Sequence, residues 1–345
     1  MSTSRRPRRP GTARALLATA LLGVGTLTAC GGGSGPTSSG GDGPTVVAST
    51  TVYADIVEYV AGANASVEAV ISDPTADPHS YEASPADAAR VTGADLVVYN
   101  GGGYDSFVDL ALDNAGDVPV VRAVDEYARV TGEAPPSHHH DAGHADHDHG
   151  DEDTATGDHA HPHDSGTNEH VWFSLPTTAA VAERIAEELS ELDPEHADDY
   201  RANARNFGAE LDPLRQQLDE IHDRGHFPYA QTERIGAHLF DTAHMVDLTP
   251  RGFLASAEDD TDPAAADLAE LLTLLDERRV AFLAYNSQTG TAVTARVRDA
   301  AENADVVVVD LTETLPDGTD YLSWMRGIVD DLTRALAGAT PEGAR

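Results

Sequence analysis

The chain has 345 residues and carries 59 acidic against 22 basic side chains, for a formal net charge of −37, with a single cysteine. That length suits about two ordinary domains. The charge excludes nucleic acid and anionic lipid headgroups as binding partners, because their phosphates would be repelled, and it concentrates cations near the surface.

The N-terminus reads MSTSRRPRRPGTARALLATALLGVGTLTAC. A basic stretch followed by a short apolar run predicts an export signal over residues 1–29. The run is too short and too rich in Gly and Thr for a good spanning helix. Leu27-Thr28-Ala29-Cys30 resembles a bacterial lipobox, so Cys30 is the expected lipidation site, and no internal disulfide can form with one cysteine. An acylated Cys30 would hold the protein at the outer face of the cell membrane. Residues 30–44 then form a Gly/Ser-rich tether.

From Thr45 apolar strands alternate with amphipathic helices. Strands are predicted at 45–50, 67–72, 95–100 and 118–121. Helices are predicted at 55–61, from Pro85 to Thr92 behind the N-cap Ser84, and at 106–112. Residues 137–165 break the pattern. They are polar, and nine histidines, His138, His139, His140, His144, His147, His149, His159, His161 and His163, are interleaved with Asp and Glu. Such a segment buries too little apolar surface to offset chain entropy, so a loop is expected, and its imidazoles make it an accessory, weak site for transition metals. Helices follow at 177–192 and from Asp193-Pro194 onward. In the second of these Tyr200, Ala204, Phe207, Leu211, Leu214, Leu218 and Ile221 recur at spacings of four and three, and Pro213 is expected to kink it. The alternation resumes with strands at 227–232, 280–285 and 305–312 and helices at 235–245, 264–277, 291–302 and 321–336. The fold class is α/β, two parallel-sheet lobes joined by a long helix. The divisions are 45–173 for the first lobe, 174–225 for the linking helices and 226–340 for the second lobe.

Ligands of open α/β sheets sit at the carboxyl ends of strands. Four such places hold candidate metal donors: His79 in SDPTADPHSYEASP, His170 in NEHVWFSLP, Glu233 in TERIG and Glu313 in TETLP. Asp310 is an alternative to Glu313. His238 and His244 lie close enough in sequence to substitute for Glu233. Asn286 and Gln288 follow a strand and are placed to hydrogen-bond a ligand carboxylate. Trp172 is a packing residue placed to shield His170. Two imidazoles and two carboxylates suit a closed divalent site.

The segments STTVYADIVEYVAG, VISDPTADPHSYEASPADAARVTGADLVVYNGGGYDSFVDLAL and HVWFSLPTTAAVAERIAEELSELDPEHADDYRANARNF resemble the cluster A-I (cluster 9) metal-binding solute-binding proteins of zinc and manganese ABC transporters. The resemblance runs from about Thr45 to Leu336. It implies two (βα)4-type lobes, a long backbone helix and one metal between the lobes, with His79 and His170 as the first two ligands. At the third position zinc members usually have His and manganese members Ser-Glu, which Thr232-Glu233 resembles. The fourth is usually Asp at the end of a late strand, and strand register places Glu313 there ahead of Asp310. The expected function is capture of Zn(II) for an ABC permease by a monomeric, non-enzymatic protein, with Mn(II) or Fe(II) as the alternative cargo. A secreted zinc hydrolase is the alternative of a different class; it would need an open coordination position, and the chain has no HExxH. Protonation of His79 or His170 is expected to weaken binding below about pH 6.

Overall fold

The computed structural model describes residues 43–113, 116–133, 168–259 and 261–341. The export signal, Cys30 and the nine loop histidines lie outside these residues. Among the described residues no helix is long and apolar enough to cross a membrane.

The first sheet is built from β1 (Thr45–Thr50), β2 (Ser66–Ile71), β3 (Leu96–Tyr99) and β4 (Val120–Arg122), all parallel, in the order β2-β1-β3-β4. The crossovers contain α1 (Thr51–Ala61), α2 (Pro85–Thr92) and α3 (Ser106–Leu112), and α4 (Ala123–Thr131) follows β4. Ser84 caps α2 in a full capping box with Asp87, and Pro85 occupies the first turn, as the sequence signals require. The short α4 went unpredicted because it starts directly from a strand without an N-cap side chain.

Two long helices connect the halves, α5 (Leu175–Leu192) and α6 (Ala197–Asp223). All seven residues of the predicted stripe on α6, from Tyr200 to Ile221, are buried. The helix runs on through Pro213 as one element. Both Pro213 and Ala209, whose carbonyl loses its helical partner, are exposed, so that oxygen is open to solvent rather than buried unpaired.

The second half repeats the topology. It comprises β5 (Pro228–Gln231), α7 (Ala237–Thr242), β6 (Val246–Asp247), α8 (Arg251–Glu258), α9 (Ala265–Asp276), β7 (Phe282–Asn286), α10 (Ala292–Asn303), β8 (Val307–Leu311) and α11 (Tyr321–Ala335), with the sheet order β6-β5-β7-β8. Strand β6 and helix α8 are additions to the predicted elements. Helix α9 starts from Ala264, not from the predicted Asp262-Pro263 cap. Strand β8 opens with three valines yet lies at the sheet edge, where Val307 is 46% exposed.

One apolar cluster spans both halves. It includes Val46, Tyr53 and Trp172 together with Phe240, Phe282, Tyr321 and Met325. The C-terminal helix α11 leans across. Tyr321 donates its hydroxyl to the carbonyl of Trp172 at 2.7 Å, its backbone N–H donates to Asp55 at 2.8 Å, and Trp324 packs on Phe173 at 5.4 Å between ring centroids.

Candidate metal centre

The carboxyl ends of both sheets face one another, and His79, His170, Glu233 and Glu313 meet there. One donor atom from each lies within 4.8 Å of all the others. The first half supplies both imidazoles and the second half both carboxylates.

His79 stands on the loop between β2 and α2. Pro78 is buried beneath it, and Asp77 holds the turn by accepting the His79 backbone N–H at 2.9 Å and the Ser80 hydroxyl at 2.9 Å. The ring packs edge-on against Tyr104 at 4.9 Å. Its side chain is 27% exposed, the most open of the four. Its Nε2 lies 3.5 Å from Glu313 Oε2, and its Nδ1 lies 3.9 Å from Glu169.

His170 begins the 3₁₀ turn Val171–Phe173 and is buried. Asn168 fixes its tautomer. The Asn168 amide N–H donates to the Arg234 carbonyl at 2.7 Å, so its oxygen is what faces His170 Nδ1 at 2.6 Å, and Nδ1 must carry the proton. Nε2 then points a lone pair into the centre. It is buried, meets no hydrogen-bond partner and lies 3.6 Å from Glu233 Oε1. Trp172 covers the ring at 5.2 Å, as expected. Burial pushes the His170 imidazole down to about 3, so it stays a neutral donor. His170 therefore offers its lone pair without first having to lose a proton.

Asn100, just past β3, steadies the same segment by donating to the Glu169 carbonyl at 2.8 Å, while Tyr53 donates to the Asn100 side-chain oxygen. The chain leaves Asn100 through Gly101, Gly102 and Gly103, all at positive φ. That conformation suits glycine, and it wraps the backbone so that buried Asp105 accepts N–H groups from Asn100 and Gly101 at 2.7 and 2.8 Å.

Glu233 and Glu313 follow β5 and β8. Asn286, the last residue of β7, donates its amide to both, at 2.7 Å to Glu233 and 2.8 Å to Glu313. Thr289 adds a hydroxyl to the same Glu233 oxygen at 2.8 Å. Gln288 accepts the Glu313 backbone N–H at 2.9 Å and donates to the Ala76 carbonyl in the other half. Each carboxylate therefore has one oxygen held by protein and one turned toward an imidazole. Glu313 is fully buried, and its Oε2 has no hydrogen-bond partner. Burial, and then the charge of Glu233, hold the Glu313 carboxyl well above its ordinary value; burial raises Glu233 too.

Asp310 lies elsewhere. It is on the exposed side of β8 and pairs with Arg298, whereas Glu313 lies three residues further on, past the strand end and in the cleft. His238 donates from Nε2 to the Asn168 carbonyl at 2.9 Å, and His244 packs against His222, so neither stands in for Glu233. Sequence reasoning missed Asn168, whose role rests on the distant Arg234 carbonyl. Its only sequence signal is the adjacency Asn168-Glu169-His170.

Four donors about 3.5 Å apart in facing pairs match the spacing of ligands on an ion bound at ~2.0–2.1 Å. The two unpartnered buried atoms, His170 Nε2 and Glu313 Oε2, are what a cation would satisfy.

A family model described as zinc-uptake complex component A, periplasmic, matches residues 46–335. The chain is 27% identical over 301 residues to the manganese-binding lipoprotein MntA of Bacillus subtilis, a match covering 85% of this chain and 87% of that one. It is also 27% identical over 285 residues to the zinc-binding lipoprotein AdcA of Streptococcus pneumoniae, covering 80% of this chain and 53% of that one. In structure it aligns with the periplasmic zinc-binding protein TroA from Treponema pallidum at a TM-score of 0.64 and 18% identity, over 86% of this chain and 99% of that one. The chain belongs to the family of the periplasmic zinc-uptake component, the metal-binding solute-binding proteins of zinc and manganese ABC transporters, and is a transport component rather than an enzyme.

Proposed function

We propose that this protein captures Zn(II) between its lobes through His79, His170, Glu233 and Glu313 and delivers it to an ABC permease. The observation that carries the reading is the pair of buried, unpartnered donor atoms, one imidazole nitrogen and one carboxylate oxygen, aimed at the same point. Mature protein anchored through an acylated Cys30 would work at the outer membrane face, and the histidines of residues 137–165 would raise local zinc concentration. Manganese is the second reading. It is favoured by the two hard carboxylates and by the manganese-binding relative. Zinc ranks first because the two remaining donors are imidazoles, one of them buried and held neutral.

Elemental analysis of the purified mature protein, with zinc and manganese in competition, tests the assignment. Zinc should win. Glu313→Ala should abolish tight binding and Asp310→Ala should leave it unchanged; the reverse pattern would overturn the ligand set. Deleting residues 137–165 should spare the tight site, and its loss would show that the loop supplies a ligand.

A further inference from the structure

Three histidines outside the interlobe cleft converge at the opposite end of the second sheet. His222 is in the last turn of α6, His226 lies between α6 and β5, and His244 lies between α7 and β6. Their ring centroids are 4.2 Å apart for His222–His244, 5.6 Å for His222–His226 and 6.3 Å for His226–His244. Two imidazoles on one tetrahedral ion, each bonded at ~2.0–2.1 Å, have centroids ~5 Å apart. The observed spacings bracket that value, so side-chain rotation alone brings three nitrogens onto one ion.

Nothing else occupies these rings. Among the described residues none of the three makes a side-chain hydrogen bond or an ion pair with a carboxylate, and the Nδ1 of His222 is buried without a partner. His226 and His244 are exposed, so the approach is open. His244 also sits at a φ of 50°, in the left-handed region that glycine or asparagine usually fills at a helix end.

We propose that His222, His226 and His244 form a second metal site, specific for late first-row divalent ions such as zinc, nickel or copper. All three donors are imidazoles, a set that binds these ions well and binds manganese, magnesium or calcium poorly. The site is independent of the interlobe centre. His226 precedes β5 and Glu233 follows it, and seven residues of extended chain span ~23 Å. An ion held there would tie the end of α6 to the α7–β6 turn. With three ligands and exposure to water, it would exchange faster than the buried centre.

Crystals of the full mature chain equilibrated with excess zinc should give two anomalous peaks at the zinc edge among the described residues, one between the lobes and one among the three rings. In solution, His226→Gln combined with His244→Gln should lower zinc bound per chain by one equivalent. The interlobe ion should be retained, as should parental circular dichroism, because both side chains are exposed. The loop histidines contribute equally to parent and variant and cancel in the difference. A peak between the lobes with none among the rings, or an unchanged stoichiometry in the double variant, would overturn the site. Manganese filling it as readily as zinc would overturn its selectivity. Neither result bears on the interlobe ligands.

Discussion

The two halves of this molecule share a topology and divide a task. In each, the third strand in sequence, β3 or β7, leads into a Tyr-Asn pair, Asn100 just past β3 and Asn286 at the end of β7, and the asparagine organises the centre. Asn100 acts on the first half's donors only indirectly, by holding the Glu169 carbonyl beside His170. Asn286 acts directly, with one amide clasping both carboxylates. The difference follows from charge. A neutral imidazole needs only to be aimed and kept in one tautomer. Two carboxylates brought together in a buried site repel one another and need donors. The second half therefore carries the electrostatic load of the metal-free protein.

The sharpest way to break this comparison is to remove one donor from each half. His170→Ala should weaken metal binding by more than ~100-fold, beyond the usual effect of outer-shell changes, with no gain in metal-free stability. Glu313→Gln should lose a comparable amount of affinity and yet make the metal-free protein more stable at neutral pH by about 1–3 kcal/mol, because a buried charge has been neutralised. Denaturant melts with and without zinc read both quantities. Equal stability effects from the two variants would dissolve the division of labour. The two asparagines come next. Asn286→Ala should cost ~10–100-fold in zinc affinity and Asn100→Ala less than that, measured by competition against a chelator.

Proton exchange gives a third, smaller effect. The Glu233 and Glu313 carboxyls are raised in the folded, metal-free protein, so they keep protons at pH values where an unfolded glutamate, with its ordinary 4.5, has lost them. Their contribution to metal-free stability is therefore greatest at the acid end of that window and is lost as pH rises. Metal requires the ionised form, so affinity should climb with pH through the same window and each ion bound should displace a fraction of a proton. Calorimetry in buffers of different ionisation enthalpy measures that number. A value of zero at pH 6 would mean that neither carboxyl holds a proton there and would overturn the assignment. The smallest effect is expected at the seam between the halves. Tyr321→Phe removes the hydroxyl that meets the Trp172 carbonyl and should cost about 1–2 kcal/mol of stability while leaving zinc affinity within a few-fold of the parent.

Much of this architecture is legible in the sequence because it is written locally. The α6 stripe, the Ser84-Pro85 start of α2 and the strands around Val46 and Val98 follow from spacing and caps. The four donors could be chosen because each follows a strand or stands beside a short turn. Asp310 and Glu313 were separable only by strand register, which the edge strand β8 obeys. What escaped depends on distant partners. Asn168 is oriented by Arg234, 66 residues away. Asn286 is legible as a partner for a ligand carboxylate from its place after a strand, but not that it serves two glutamates 53 and 27 residues away in opposite directions. The two-residue β6 escaped because it is short, and helix α8 because it starts from Pro250 without a capping side chain.

The apolar cluster that crosses from one half to the other has a thermodynamic consequence. A receptor that spends most of its time open has its intrinsic affinity diluted by the fraction of time it is closed. Here Tyr321, Trp324 and Trp172 bind the halves to each other, and the donors face one another at about 3.5 Å. If that packing persists when the ion leaves, little binding free energy is diverted into closing a hinge, and exchange is expected at the loop bearing His79, the most exposed donor.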